Sequence, residues 1–244
     1  MAIVVEPFRA RPREPLEGGW PEFIFHDALA ARHLAAVRER YADLELALVE
    51  SDAPGAGGAG DAAGALVAAG WAVPLRWNGE IADLPSGYGD ALGRSLGAVP
   101  PDTLCVMAAE VRADLRGRGL AGRLLTALAD LAAERGWPRV ICPVRPTLKA
   151  RYPLTPIERY VSWTRADGEP LDPWIRTHTR LGARILAPAP RSQVITGTVA
   201  QWESWTGMAF PEPGDYVIPG GLATLRIADG RGEYAEPNVW LRHR

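Results

Sequence analysis

The sequence predicts an α/β fold, a sheet with helices packed against it, and three neighbouring stretches carry that prediction. Leu104–Val111 (LCVMAAEV) is an apolar run suited to burial on both faces of a strand. Leu120, Leu124, Leu125, Leu128, Leu131 and Ala132 then recur along one side of a helix, which Gly136 stops. Val140–Val144 (VICPV) is a second short apolar strand. Strand, helix and strand joined by tight connections make a βαβ unit, so the two strands should be parallel neighbours.

The other elements follow along the chain. The opening MAIVVEPFRARPREP has only a short apolar run before Arg and Pro interrupt it, and reads as neither a secretory leader nor a membrane anchor. Asp27 can cap a helix running towards Glu50, in which Leu34, Val37, Tyr41 and Leu44 recur at helical spacing. Ser51–Gly64 (SDAPGAGGAGDAAG) has almost nothing to bury and is expected to be a mobile loop. Ala65–Leu75 reads as a buried strand broken by Pro74, and Asp83–Gly97 as a loop with at most one helical turn. Arg145–Pro173 combines Pro146, Pro153, Pro156, Pro170 and Pro173 with Tyr152, Tyr160 and Trp163. That is too proline-rich for a regular helix and too aromatic for a solvated linker, so an ordered, packed insertion is predicted. Trp174–Arg180 should be a helix stopped at Gly182, with a strand at Ala183–Leu186. A Trp-containing amphipathic piece, Val199–Trp205, opens a second insertion over 198–220, and strands at Leu222–Ile227 and Glu233–Leu241 end the chain. One domain over 1–244, without internal repeats, is expected.

Composition removes several classes of function. A net charge of −2 gives no electrostatic footprint for nucleic acid or an anionic membrane. No apolar stretch approaches bilayer-spanning length. Cys105 and Cys142 are the only cysteines, too few for a disulfide framework or a cysteine-built zinc site. His26, His33, His178 and His243 are scattered without metal-ligand spacing, so no metal is expected, and His26, His33 and His243 read as surface or helix-edge residues. A cytoplasmic protein is the simplest expectation.

The chemistry concentrates in Arg116-Gly117-Arg118-Gly119-Leu120-Ala121-Gly122. A helix N-terminus presents unpaired N–H groups and the positive end of a dipole, which suits a phosphate. Glycines let the backbone come close, and the two arginines add charge and donors. Gly117, Gly119 and Gly122 also spell the dinucleotide triplet G-x-G-x-x-G. For an NAD(P)-dependent oxidoreductase, however, the first glycine should follow the strand directly, and an acid should end the next strand. Here Arg112–Arg116 intervenes, and Val140–Arg145 ends without an acid.

With Val111 placed five residues before Arg116, the string VRADLRGRGLAG resembles motif A of the GNAT acyltransferase superfamily, R/Q-x-x-G-x-G/A after a strand ending in Val. Arg116, Gly119 and Ala121 occupy the motif positions, and Arg180-Leu181-Gly182-Ala183 resembles the family's L-G-F step. The resemblance is specific over about Thr103–Val144. It implies a twisted mixed sheet flanked by helices, splayed between the Thr103–Val111 and Arg139–Val144 strands, with acetyl-CoA as acyl donor. The backbone at Ala109–Val111 would pair with the pantetheine amides, and the amides of Arg116, Gly117, Arg118, Gly119, Leu120, Ala121 and Gly122 would hold the pyrophosphate.

Acyl transfer to an amine needs a base for the amine and relief of charge on the departing thiolate. Glu110, at the end of the first motif strand, is the candidate base; period-two alternation puts it on the face of Leu104, Val106 and Ala108. A salt bridge to Arg112 is the plainer alternative. The resemblance places His178, four before Gly182, where the family often has a tyrosine. A histidinium can also give a proton to a thiolate, and Tyr152 or Tyr160 could take the role instead. Cys105 and Cys142 read as packing residues, although Cys142 on the strand bordering the channel could carry an acyl group. Trp71, Trp77, Tyr152, Tyr160 and Asn238 could line an acceptor pocket, together with Trp163, Trp174, Arg145, Lys149, Arg151 and Glu236. The expected activity is acetyl transfer to a small-molecule amine or amino-acid-like acceptor. A non-catalytic acyl-CoA-binding module and a protein N-terminal acetyltransferase are the alternatives.

Overall fold

The computed structural model describes residues 2–8, 20–51 and 64–243, so the glycine-rich loop expected at Ser51–Gly64 lies, apart from its two end residues, outside the described residues. In chain order the strands are β1 (Ala2–Pro7), β2 (Glu45–Ser51), β3 (Leu66–Leu75), β4 (Thr103–Val111), β5 (Arg139–Val144), β6 (Arg184–Thr198), β7 (Gly214–Val217), β8 (Thr224–Ala228) and β9 (Arg231–Arg242). The helices are α1 (Ala28–Arg40), α2 (Tyr88–Ser95), α3 (Leu120–Glu134), α4 (Ile157–Tyr160), α5 (Pro173–Arg180) and α6 (Val199–Thr206).

The nine strands form one mixed sheet in the order β1-β2-β3-β4-β5-β9-β8-β7, with β6 pairing along the free side of β9. The predicted βαβ unit is present, and β4 and β5 are parallel neighbours. Their pairing covers only Thr103↔Arg139, Leu104↔Val140 and Cys105↔Ile141. Beyond Cys105 the outer half of β4 stays paired with β3, while β5 turns to β9 through Ile141↔Arg242 to Val144↔Val239. A wedge therefore opens between β4 and β5, where the splay was expected.

Helices cover both faces. On one face Leu124, Leu125 and Leu128 of α3 pack with Leu104, Val106, Val140, Cys142 and the insertion residues Ile157, Tyr160 and Ile175. Gly70 of β3 lets α3 approach, since a Cβ there would come within 3.0 Å of Leu124 and 2.9 Å of the Ala108 carbonyl. On the other face α1 and α2 pack Val37, Ala91 and Leu92 against Trp71, Val73, Cys105, Met107 and Trp240. A third cluster, built around Phe23, Trp202, Phe210 and Tyr234, seats α6 on the far ends of β6, β8 and β9.

Several elements differ from the sequence expectation. The first helix ends at Arg40, and β2 begins at Glu45 because Leu44, Leu46 and Leu48 alternate into the core at strand period. The expected loop at Asp83–Gly97 contains the two-turn helix α2; its local N-cap is a glycine, and the Tyr88 N–H is instead received by Ser192 Oγ at 3.0 Å, 104 residues away. β6 runs on to Thr198 because Pro188 and Pro190 fall beside register shifts, where a missing ladder N–H costs little.

The proline-rich insertion is ordered, as predicted, and one buried carboxylate holds it. Asp172 caps α5 by accepting from Trp174 N–H at 2.9 Å and Ile175 N–H at 3.1 Å, and also receives Leu148 N–H at 2.8 Å and the Tyr160 hydroxyl at 2.9 Å. Loss of a cap plus two buried bonds should make Asp172→Ala about 2–4 kcal/mol less stable. Urea unfolding should show a lower midpoint at unchanged slope, with Asp172→Asn falling between the two. A midpoint equal to wild type would mean that the insertion is anchored elsewhere.

Candidate active site

At the wedge, Val106 and residues 108–111 of β4 have a ladder partner on the β3 side only, so the backbone groups facing β5 are open to an incoming ligand. Ala109 and Val111 lie on this stretch, opposite Gly70 and Ala68. The chain then passes through a short 3-10 turn at Ala113–Leu115 and enters α3 with Gly119 as N-cap, at φ 76°. No side chain caps that end, so the N–H groups of the first turn at Leu120, Ala121 and Gly122 point out of the helix. A Cβ placed on Gly117 or Gly119 would meet nothing within 4 Å, which leaves an open cradle of backbone beside the wedge.

Glu110 lies on the face opposite to the one the sequence predicts. The β3–β4 register steps from Trp71↔Ala108 to Ala72↔Val106, so Met107 is an extra residue in β4. Leu104 and Val106 face α3 before the bulge, as Ala109 and Val111 do after it, while Met107 and Ala108 face α1 and α2. Glu110 alternates with Ala109 and Val111 and so belongs to the α1–α2 face. Its Oε1 is buried without a hydrogen-bond partner. Burial pushes its carboxyl above the ordinary value, and the Arg116 guanidinium offsets part of that rise. The alternative pairing with Arg112 is not formed; Arg112 binds Asp114 at 2.8 and 3.1 Å.

The same face carries Trp71, with Arg38 stacked 4.7 Å over its ring and Tyr88 edge-on at 6.4 Å. Arg38 is held by Glu45 at 2.9 Å, and Gln193 donates to the α1 cap Asp27 at 3.2 Å. Asn238 alternates with Trp240 on β9 and shares this face. Tyr88 and Arg38 went unnoticed in the sequence because they meet Trp71 only through pairing of distant segments, and Gln193 because it meets Asp27 in the same way.

His178 is brought to an unexpected place. It is 1% exposed, and its Nδ1 lies 2.8 Å from His243 Nε2 and 3.7 Å from Cys142 Sγ. Burial, and secondarily His243, lower its pKa to about 3, so the ring is neutral and the expected histidinium does not form. Nε2 of the ring is buried without a partner. His243, expected at the surface, is the second imidazole of this cluster. Cys142 is fully enclosed and its thiol is pushed well up by burial, which disfavours an acyl-cysteine.

No protein-family model matches the chain. Among characterised proteins it is similar to the arginine N-acetyltransferase avaD of Aspergillus versicolor, with 28% identity across 95% of this chain and 87% of the relative. Among solved structures it is similar to the loading GNATL domain of CurA from Lyngbya majuscula, with a TM-score of 0.52, 13% identity, and coverage of 99% and 97%. The chain has the GNAT fold and resembles the superfamily's N-acetyltransferases. A GNAT-like decarboxylase, GphF in complex with isobutyryl-CoA, is similar at a TM-score of 0.48 and 18% identity over 87% of this chain and 81% of its own.

Set against the GNAT fold, the expected acceptor residues divide. Trp71 and Asn238 share the Glu110 face. Trp77 does not reach a pocket: it is 0% exposed, and its indole N–H donates to the Glu80 carbonyl at 2.8 Å. Tyr160 is packed in the α3-side core, where it forms a ring cluster with Tyr152 and Trp163, on the opposite face from Glu110. Arg145 and Glu236 form a buried ion pair, completed by the Tyr234 hydroxyl on Glu236 and by Arg145 donating to the Gly220 carbonyl at 2.7 Å. Lys149 is buried beside them, bound to the Tyr152 and Leu222 carbonyls at 2.8 and 2.5 Å, and its pKa is lowered to about 8 by desolvation against the pull of Glu236. These charged groups brace the insertion. No helix among the described residues is long and apolar enough to cross a membrane.

The open cradle gives a direct test. Gly119→Glu places a carboxylate in the space beside the α3 N-terminus and forces a left-handed conformation costing about 1–2 kcal/mol. The variant should fold, with its melting temperature lowered, and should lose all stabilisation by acetyl-CoA, whereas wild type gains it by mass action. Undiminished acetyl-CoA binding in calorimetry would remove the pyrophosphate from this turn.

Proposed function

We propose that the protein is an acyl-CoA-dependent N-acyltransferase that moves an acetyl group from acetyl-CoA to a small, amino-acid-like amine, with arginine the first acceptor to try. The observation that carries this reading is the β4–β5 wedge, with a phosphate-ready helix end on one side and, on the other, a Glu110 carboxylate whose buried Oε1 has no hydrogen-bond partner. Likeness to an arginine N-acetyltransferase along nearly the whole chain supports the acceptor class.

Pantetheine would pair with the free edge at Ala109 and Val111, and the pyrophosphate would rest on the backbone of 116–122, with Arg116 and Arg118 adding charge. The amine would enter from the α1–α2 face, past Trp71, Tyr88 and Asn238, to Glu110. Glu110 takes the amine's proton as the nitrogen bonds to the thioester carbonyl carbon. The tetrahedral adduct then collapses, the C–S bond breaks, and the amide and a thiolate remain. Neutral His178 stabilises that thiolate by a hydrogen bond from Nε2, its one free ring nitrogen, and the thiolate takes its proton from solvent.

Release of free CoA thiol with a panel of amines tests the activity. Arginine and related amino acids should stimulate it; stabilisation by acetyl-CoA without release for any amine would mean a binding module. Because Glu110 must be ionised and burial raises its pKa, kcat/KM should fall as pH drops through a value above the ordinary carboxylate range. Glu110→Gln should remove that acidic limb and lower kcat about 10²–10⁴-fold at unchanged acetyl-CoA affinity. His178→Ala should slow turnover less with a donor whose thiol leaves easily. Losses below about fivefold in both variants would remove the assigned roles.

A further inference from the structure

The chain has only two cysteines and four histidines, yet Cys142, His178 and His243 meet at one point from three separate elements. Cys142 is on β5, His178 on α5, and His243 directly follows β9. The β5–β9 ladder fixes two of the three, through Cys142↔Leu241 and through His243 N–H donating to the Val140 carbonyl at 2.8 Å. Their Sγ, Nδ1 and Nε2 atoms all lie within 4.8 Å of one another.

Hydrogen bonding among the three is incomplete. Nδ1 of His178 carries either one proton or one lone pair, so it can serve His243 Nε2 or Cys142 Sγ but not both. The thiol's other neighbour is the Leu241 carbonyl at 4.0 Å, the outer limit for a bond to sulfur. A cation between the three atoms would engage every one. A point central to such a triangle lies ~2–2.5 Å from each corner, the length of zinc–nitrogen and zinc–sulfur bonds. One thiolate and two imidazoles suit a borderline-soft, tetrahedral ion such as Zn²⁺ or Co²⁺ rather than Mg²⁺ or Ca²⁺.

We propose that Cys142, His178 and His243 form a binding site for a zinc-class divalent cation that ties β5 to α5 and to the end of β9. His243 is partly exposed, which gives the ion an entrance and room for water as fourth ligand. Binding releases the thiol proton to solvent, leaving a thiolate ligand. The site stands without acetyl transfer. If the proposed function also holds, metal on Nδ1 fixes the proton of His178 on Nε2, the nitrogen assigned to the departing sulfur.

The whole chain, freed of metal by chelator and dialysis, should take up one equivalent of Zn²⁺ and melt at a higher temperature with metal present. Co²⁺ should give a thiolate-to-cobalt charge-transfer band together with tetrahedral ligand-field bands. Cys142→Ser should abolish the charge-transfer band, and His243→Gln, at the rim where folding is least disturbed, should weaken Co²⁺ affinity at least ~10-fold. Absence of saturable uptake by wild type, or equal uptake by both variants, overturns the site. None of these readouts requires turnover, so inactivity with every amine would count against the acetyl transfer alone.

Discussion

The parting of β4 from β5 is the constraint on which the rest of the molecule depends. A parallel pair that zips for three residues and then separates exposes a strand edge in the middle of a sheet, where unpaired N–H and C=O groups are costly. The fold keeps the wedge open by giving each strand a different loyalty: β4 remains with β3, and β5 is taken up by β9. Asp172, the Arg145–Glu236 pair and buried Lys149 then secure the insertion that leaves β5. An extended amide-bearing ligand is the natural complement to such an edge.

The Met107 bulge gives the wedge two sides with different chemistry. Without it, Glu110 would face α3, on the side where the helix N-terminus offers its amides. With it, the carboxylate turns to the face that carries Met107 and Ala108, the side covered by α1 and α2. The open helix end and the carboxylate are thereby turned toward different faces of the sheet, with Arg116 of the connecting turn the charge that Glu110 feels. One inserted residue accomplishes this because the side-chain period of a strand is two.

That residue also marks the limit of what the sequence discloses. The β4–α3–β5 unit and the glycine-rich turn were legible because their signals are local: a leucine stripe at helical spacing, apolar runs, and glycines where φ is positive. The face of Glu110 was not, since nothing in LCVMAAEV announces a bulge that only the register with β3 defines. Helix α2 was missed because Ser192 receives its first N–H from far along the chain, and β6 because its prolines sit at irregularities visible only beside β9. Two of the acceptor candidates lie away from Glu110 for the same reason. Trp77 and Tyr160 have the right composition for a pocket, but composition does not say which face of the sheet a ring will occupy.

His178 shows how position and environment can pull a residue in different directions. Its spacing from Gly182 puts it where GNAT-like proteins often carry a tyrosine, and taken alone that favours a charged donor. A tyrosine there keeps its phenol neutral and needs no partner behind it. An imidazole has a second nitrogen that must be satisfied in the core, and the chain supplies His243 and Cys142 for it. Burial then removes the charge that would have made His178 an acid, so it can act on a thiolate only as a neutral hydrogen-bond donor. The partner of Nδ1 therefore decides whether Nε2 carries the proton, and so whether the ring nitrogen left without a hydrogen-bond partner can donate at all.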